Sequence, residues 1–247
     1  GRVKTLHPAI HAGILARGSN MADLDTLDSL GYSRIDLVCV NLYPFESVAT
    51  ESPPVEQDVL LEMIDIGGPT LLRAAAKSHQ DVLVVPRKKY YTEVIDALEE
   101  ANCDPSGVSM DLRQRMAISA FQRTAAYDVM VASTLAERLS VNTESPEGIP
   151  THLLVSGGKA NHLRYGENPH QAAGWFDSSS TNISSTGLSA AVQHGGKELS
   201  FNNYLDLDAA LRFARSLIGS EWSSLPHACV IIKHTNACGV AASTDQV

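Results

Sequence analysis

Three short stretches of the sequence carry side chains that could donate or accept protons. An amide and a phenol occur in Asn41-Leu42-Tyr43, a carboxylate precedes a glycine pair in Asp65-Ile66-Gly67-Gly68, and Lys233-His234 follows the apolar run at 228–232. Phenol, carboxylate, ammonium and imidazole groups serve as general acids and bases. Paired glycine N–H groups at a helix N-terminus can bind an anion or a carbonyl oxygen. The three stretches are therefore candidates for acid–base chemistry.

Each stretch also has a purely structural interpretation. Tyr43 could simply pack a loop, and glycine pairs such as Gly67-Gly68 are common in sequences. Lys77, on the helix predicted after the glycine pair, could be a solvated surface charge. His234 could be a satisfied buried histidine beside the alkyl chain of Lys233. From these residues alone, the catalytic and structural interpretations both remain open.

Several other kinds of site lack their sequence signature. His7 and His11 form H-x-x-x-H, but Pro8 lies between them and no glutamate follows His7 as in the zinc motif H-E-x-x-H. The sequence contains neither the serine-hydrolase motif G-x-S-x-G nor the phosphate-binding motif G-x-x-x-x-G-K-[ST]. The cysteines form no C-x-x-C pair, so we expect no metal site and free thiols in a reducing compartment. They are Cys39, Cys103, Cys229 and Cys238.

The elements that would position these residues alternate between apolar runs and helical patterns, which predicts an α/β fold with a largely parallel sheet. Strands are predicted at residues 35–40, 82–85 and 228–232. Helical patterns are predicted at 55–63, 70–78, 90–101 and 110–139, with the last helix capped by Ser109. The Gly67-Gly68-Pro69 step is predicted to open the second of these helices. Ligands bind beyond the carboxyl ends of parallel strands. We therefore expect Tyr43 and the Asp65-Gly68 turn to line one pocket.

Composition excludes several classes of protein. The chain has 247 residues, of which 44% are hydrophobic and 19% charged, which is typical of globular rather than disordered proteins. A net charge of −9 opposes sequence-independent binding to nucleic acid or to anionic lipid. No apolar run approaches the roughly 20 residues of a membrane-spanning helix. We therefore expect neither a nucleic-acid nor a membrane partner, and the length suits two compact domains.

Six segments, taken in order along nearly the whole chain, resemble the bifunctional purine-biosynthesis PurH family. They are GRVKTLHPAIHAGILAR at 1–17, NLYPF at 41–45, IDIGGPTLLRAAAK at 64–77, AF..TAAYD at 120–128, LRYGENPHQ at 163–171 and IIKHTNACG at 231–239. The chain opens on glycine rather than methionine. The resemblance therefore implies an internal fragment, spanning the end of the family's first domain and the start of its second.

The resemblance implies two α/β domains. Residues 1–140 would form an IMP cyclohydrolase domain with a methylglyoxal-synthase-like, Rossmann-like parallel sheet. Residues 141–162 would form the boundary, where VNTESPEGIP at 141–150 interrupts the helical pattern. Residues 163–247 would begin an AICAR transformylase domain with a cytidine-deaminase-like α/β fold. The family's proteins are expected in the cytosol as homodimers.

The implied chemistry is the last two steps of de novo IMP synthesis. A formyl group passes from the co-substrate 10-formyltetrahydrofolate to AICAR, and the product FAICAR then closes to IMP with loss of water. The family needs no metal for either step. The alternative from a different functional class is a module of the same fold that binds purine ribotides without turning them over.

The family's functional residues can be carried over only where this sequence matches its motifs. The catalytic set would be Lys4, Tyr43, Asp65, Lys77, Lys233 and His234. The substrate-binding set would be Arg2, Thr5, Asn41, Ile66, Gly67, Gly68, Arg164, Tyr165 and His170. The enzyme hypothesis requires Lys4, Tyr43, Asp65 and Lys77 to converge on one ligand position. One departure is Ala237, which stands where the family usually has proline.

Overall fold

The computed structural model describes residues 4–139, 153–177, 187–188, 191–217 and 224–244. The chain divides into two units, Gly1–Val155 and Ser156–Val247, each with its own internal packing. The predicted boundary at 141–162 lies largely outside the described residues and stays a prediction. Within the described ranges, no helix combines the length and apolar character needed to cross a membrane.

The described residues form eight α-helices, six strands and three short 3₁₀ helices. The α-helices are α1 (Pro8–Leu15), α2 (Met21–Ser29), α3 (Phe45–Ala49), α4 (Gln57–Glu62), α5 (Gly67–Lys77), α6 (Tyr91–Glu100), α7 (Met110–Arg138) and α8 (Phe201–Ser216). The strands are β1 (Leu37–Cys39), β2 (Leu83–Val85), β3 (Gly158–Leu163), β4 (Ala173–Asp177), β5 (His227–Lys233) and β6 (Asn236–Ser243). The 3₁₀ helices are Lys4–Leu6, Lys88–Tyr90 and Pro105–Gly107.

The first unit contains the predicted parallel sheet, in a smaller form than expected. Strand β1 pairs with β2 in parallel, with Leu37 opposite Leu83 and Cys39 opposite Val85. Every residue of β2 is buried, which explains its continuous apolar sequence. The sheet has two strands in the described part of the chain. The α/β class is therefore confirmed, on a parallel sheet of two strands.

Helices α5 and α7 pack against each other and against β2, and they form the core of the first unit. The predicted cap of α7 is present, because the Ser109 hydroxyl accepts a hydrogen bond from the Leu112 amide at 3.4 Å. Helix α7 ends at Arg138, one residue short of the prediction. Met116 and Ala120 are among its buried residues. The helical periodicity of the sequence thus locates this helix correctly.

Helix α5 begins directly at the glycine pair. Its first residue is Gly67, and Pro69 lies in the first turn, where a missing N–H leaves no hydrogen bond unmade. The prediction that the Gly67-Gly68-Pro69 step opens a helix is therefore confirmed. The helix runs without interruption to Lys77, which is its last residue.

The second unit corrects the prediction for residues 228–232. This apolar run belongs to β5, which pairs with β6 in an antiparallel hairpin rather than in a buried parallel sheet. Most of the β5 side chains are exposed, and so are Lys233 and His234. A short apolar run has the same sequence pattern in a buried strand and in a hairpin, so periodicity could not separate the two.

Helix α8 supports the β5–β6 hairpin and contacts both of its strands. A capping box closes its N-terminus: the Ser200 hydroxyl accepts from the Asn203 amide, and the Asn203 side chain accepts from the Ser200 amide. The second hairpin of this unit pairs β3 with β4. Sequence analysis predicted neither α8 nor the β3–β4 hairpin.

Candidate functional site

A pocket of about 720 Å³ lies beyond the carboxyl end of β1. This volume falls within the range of small-molecule sites. Its walls come from the 3₁₀ helix Lys4–Leu6, the residues at and after the end of β1, and the turn into α5. The lining residues are Thr5, Cys39, Val40, Asn41, Tyr43, Leu61, Glu62, Ile64, Asp65, Ile66, Gly67, Gly68 and Leu71. Tyr43 and the Asp65-Gly68 turn thus line one pocket, as predicted. Only Tyr43 follows a strand, because Asp65 lies between α4 and α5.

The Asp65 carboxylate joins the two main walls of this pocket. One of its oxygens accepts the Tyr43 amide at 3.2 Å, and the other accepts the Gly68 amide at 2.8 Å. The second bond also satisfies a free N–H in the first turn of α5, for which Ile66 provides no side-chain cap. A carboxylate has about four acceptor positions, so Asp65 keeps capacity for a ligand proton.

The two glycines allow close approach at the mouth of α5. A Cβ atom on Gly67 would collide with the Thr5 hydroxyl, and one on Gly68 would collide with the Asp65 carboxylate. The Gly68 position also has Leu42 within 2.8 Å of where a Cβ would stand. The absence of side chains here lets the Thr5 hydroxyl and the Asp65 carboxylate face the start of α5.

Asn41 is oriented by Tyr91, a residue that sequence analysis missed. The Asn41 side-chain amide donates to the Tyr91 hydroxyl at 2.7 Å, and the Cys39 thiol lies 3.6 Å from the same oxygen. Tyr91 is the first residue of α6, about 50 positions away in sequence. Nothing in the local pattern of Tyr91 indicates this contact, because it arises from the pairing of β1 with β2.

Three residues of the expected cyclohydrolase set are not placed in the pocket. Lys77 is exposed at the last position of α5, and ten residues of helix put it about 15 Å along the axis from Gly67. Lys4 lies in the 3₁₀ helix beside Thr5, and only its backbone is described. Arg2 lies outside the described residues. The assignment of these three residues stays a prediction.

The pocket combines groups suited to acid–base chemistry with an apolar surface. Tyr43 is 49% exposed, so its phenol is accessible. Ile66 is also exposed, at 56%, and offers an apolar surface beside the polar Asn41 and Asp65. A phenol and a half-buried carboxylate on adjacent walls can supply a proton donor and a proton acceptor to the same ligand.

In the second unit, Arg164 and Tyr165 form a compact pair. The Arg164 guanidinium donates to the Tyr165 hydroxyl at 3.1 Å and lies 4.8 Å from the centre of its ring. The Phe201 amide, at the start of α8, donates to the Tyr165 carbonyl at 3.0 Å. His170 is exposed in the loop between β3 and β4. These residues present cationic and imidazole groups on one loop segment.

His234 lies in the tight turn between β5 and β6. His234 and Thr235 have φ values of +51° and +61°, the left-handed conformation of a two-residue hairpin turn. Because this conformation is strained for non-glycine residues, it needs support from its surroundings. The Asp206 carboxylate of α8 accepts the Thr235 amide at 2.8 Å. Helix α8 therefore contacts both the Tyr165 segment and the His234 turn.

The histidine pair near the N-terminus lies at the start of helix α1. Pro8 does not interrupt a helix but begins α1, and the His7 ring caps that helix by accepting the Ala9 amide at 3.2 Å. Within the described ranges, no three His, Cys, Asp or Glu residues are grouped to hold a metal ion. The four cysteines are free and exposed.

Comparison with known proteins supports one family. The family described as AICARFT/IMPCHase bienzyme matches residues 75–247. The bifunctional purine biosynthesis protein PurH of Gloeothece citriformis is 46% identical over 99% of this chain and 44% of its own length. The protein of the same name from Rippkaea orientalis is 44% identical over 98% of this chain and 44% of its own length.

A third PurH protein, from Prochlorococcus marinus, is 45% identical over 98% of this chain and again 44% of its own length. The chain thus spans less than half the length of these relatives. Identity above 40% along nearly the whole chain, together with the family match over residues 75–247, establishes the relationship. This chain belongs to the AICARFT/IMPCHase bienzyme family.

Proposed function

We propose that this chain is part of a bienzyme that catalyses the last two steps of IMP synthesis. In this proposal the first unit contributes to FAICAR cyclisation and the second to formyl transfer from 10-formyltetrahydrofolate to AICAR. The observation that carries the proposal is the pocket beyond β1, because it unites seven of the residues expected to bind or turn over the nucleotide. They are Thr5, Asn41, Tyr43, Asp65, Ile66, Gly67 and Gly68.

Ring closure requires a bond between the carboxamide nitrogen of FAICAR and its formyl carbon. The carboxamide nitrogen loses one proton and the formylamino nitrogen loses the other, and the formyl oxygen leaves with both as water. The Tyr43 phenol is suited to donate a proton to the formyl oxygen, and the Asp65 carboxylate to accept one from the carboxamide. The backbone N–H groups at the start of α5 favour negative charge that develops nearby.

For the second unit we propose His234 as the base that accepts a proton from the AICAR amine as it attacks the formyl group. Lys233 would stabilise the negative charge that develops on the transferred group, and Arg164, Tyr165 and His170 would bind AICAR. Imidazole is suited to proton transfer near neutral pH. The β5–β6 turn supports this role, since it exposes His234 at the tip of a hairpin held by α8.

The same proposal includes a fold type for each unit, an oligomeric state and a cellular compartment. The first unit would be methylglyoxal-synthase-like and the second the start of a cytidine-deaminase-like domain. The two-stranded parallel sheet with helices packed on it supports the first of these assignments. We also propose a homodimer in the cytosol that uses a folate co-substrate and needs no catalytic metal.

One observation favours the alternative of ribotide binding without turnover. Lys77, expected among the catalytic groups, lies at the opposite end of α5 from the pocket. Among the expected proton-transfer groups whose side chains the structure describes, Tyr43 and Asp65 line the pocket. Binding needs the shape and polarity of the pocket, whereas turnover needs the proton-transfer groups as well.

FAICAR cyclisation, followed by absorbance, separates the two functions. We expect the complete bienzyme that contains this sequence to close FAICAR to IMP, and the same assay on residues 1–247 shows how much of the activity this part retains. If the complete protein binds IMP but produces none from FAICAR, the ribotide-binding alternative is correct.

A further inference from the structure

The hydroxyl of Tyr127 holds the backbone next to the pocket's carboxylate. Tyr127 lies on α7 and is 2% exposed. Its oxygen accepts the Asp65 amide at 2.8 Å, and its O–H donates to the Met63 carbonyl at 3.3 Å. The segment that leads into α5 is therefore fixed to the longest helix of the core by one side chain.

The ring of Tyr127 contacts the other wall of the pocket. It packs against Phe45 in an edge-to-face arrangement, with ring centres 6.2 Å apart and planes at 69°. Phe45 is fully buried and lies two residues after Tyr43. Tyr127 thus supports the Tyr43 segment through its ring and the Asp65 segment through its hydroxyl, from behind the pocket.

The surroundings of Tyr127 keep its hydroxyl protonated. Burial raises the pKa of the phenol above its ordinary value, and the nearby charges of Asp65 and Asp128 act in the same direction against the opposing influence of Arg123 and the Asp65 amide. At neutral pH the O–H therefore remains available to the Met63 carbonyl.

We propose that Tyr127 is a positioning residue that sets the separation between the Tyr43 and Asp65 walls of the pocket. With both walls held, the Asp65 carboxylate can bridge the Tyr43 and Gly68 amides. The consequence for catalysis rests on the proposed cyclohydrolase function, whereas the positioning itself does not. The alternative is that Tyr127 only fills the core.

Tyr127→Phe tests this inference because it keeps the ring and removes the hydroxyl. Tyr90→Phe is the matched control, because the Tyr90 hydroxyl also bonds to α7 but Tyr90 does not line the pocket. The Tyr90 hydroxyl accepts a hydrogen bond from the Ser119 hydroxyl at 3.0 Å. In Tyr127→Phe we expect the Asp65, Tyr43 and Gly68 amides to exchange with solvent about tenfold faster, because one hydrogen bond is lost. In Tyr90→Phe the same amides should exchange at the native rate.

In the complete bienzyme, Tyr127→Phe should lower kcat for cyclisation by about tenfold while formyl transfer is retained. Unchanged exchange at the three amides, or the same acceleration along all of α5 and α7, would overturn the positioning role. If Tyr127→Phe does not fold, Phe45→Leu answers the question: it should speed exchange at Tyr43 and leave Asp65 protected, and equal effects at both would contradict the inference. The exchange data decide this even if FAICAR is not the substrate.

Discussion

Tyr43→Phe is expected to lower FAICAR cyclisation by at least about 100-fold in the complete bienzyme, the lower range for losing one positioned acid or base. The change removes only the phenol oxygen. The backbone amide of Tyr43 still donates to Asp65, so the wall of the pocket keeps its anchor. Because the side chain is 49% exposed, the loss of its oxygen leaves no buried group without a partner. The measurement is the absorbance change on IMP formation.

Formyl transfer serves as the internal control for Tyr43→Phe and should remain nearly unchanged. Tyr32→Phe is the matched variant, since Tyr32 packs against His7 outside the pocket and should leave both activities intact. Equal loss of both activities in Tyr43→Phe would indicate misfolding, and full retention of cyclisation would remove Tyr43 from the catalytic set.

His234→Ala is expected to lower the formyl-transfer rate by about 10²- to 10⁴-fold, the usual contribution of one positioned base. Cyclisation should be retained. His234 is exposed at the tip of the β5–β6 hairpin, so its removal opens no cavity in a core. Alanine also leaves the Asp206 bond to the Thr235 amide available. The measurement is formyl transfer from 10-formyltetrahydrofolate to AICAR by the complete bienzyme.

His227→Ala provides the control, because His227 is also an exposed histidine and lies at the other end of β5. It should leave formyl transfer near the native rate. If both histidine variants lose the same activity, the effect comes from the hairpin rather than from a base at residue 234. If His234→Ala keeps the native rate, the proposed role is wrong.

The parts of the fold that depend on local periodicity could be predicted from the sequence. Helix α7 has a long helical pattern and a serine cap, and both ends agree with the structure within one residue. Strands β1 and β2 lie inside the predicted runs 35–40 and 82–85. Because polar residues directly follow β1, the position of the pocket could be predicted as well.

The parts that depend on long-range contacts could not be predicted. The run at 228–232 was expected in a core, yet it forms an exposed hairpin strand, because its partner is the adjacent β6. Tyr91 and Tyr127 were missed because each bonds to a pocket residue from a helix far away in sequence. The family resemblance groups Lys77 with Asp65, but the unbroken helix α5 separates them.

Protection of Cys39 from alkylation tests the central claim that a purine ribotide occupies the pocket beyond β1. Cys39 is exposed and lines this pocket, whereas Cys103 is exposed outside it. We predict that IMP at ten times its dissociation constant slows iodoacetamide labelling of Cys39 in the complete bienzyme by about tenfold, with Cys103 unaffected, as measured by peptide mass spectrometry. If IMP inhibits cyclisation at this concentration but Cys39 is labelled at its ligand-free rate, the ribotide binds elsewhere and the account is contradicted.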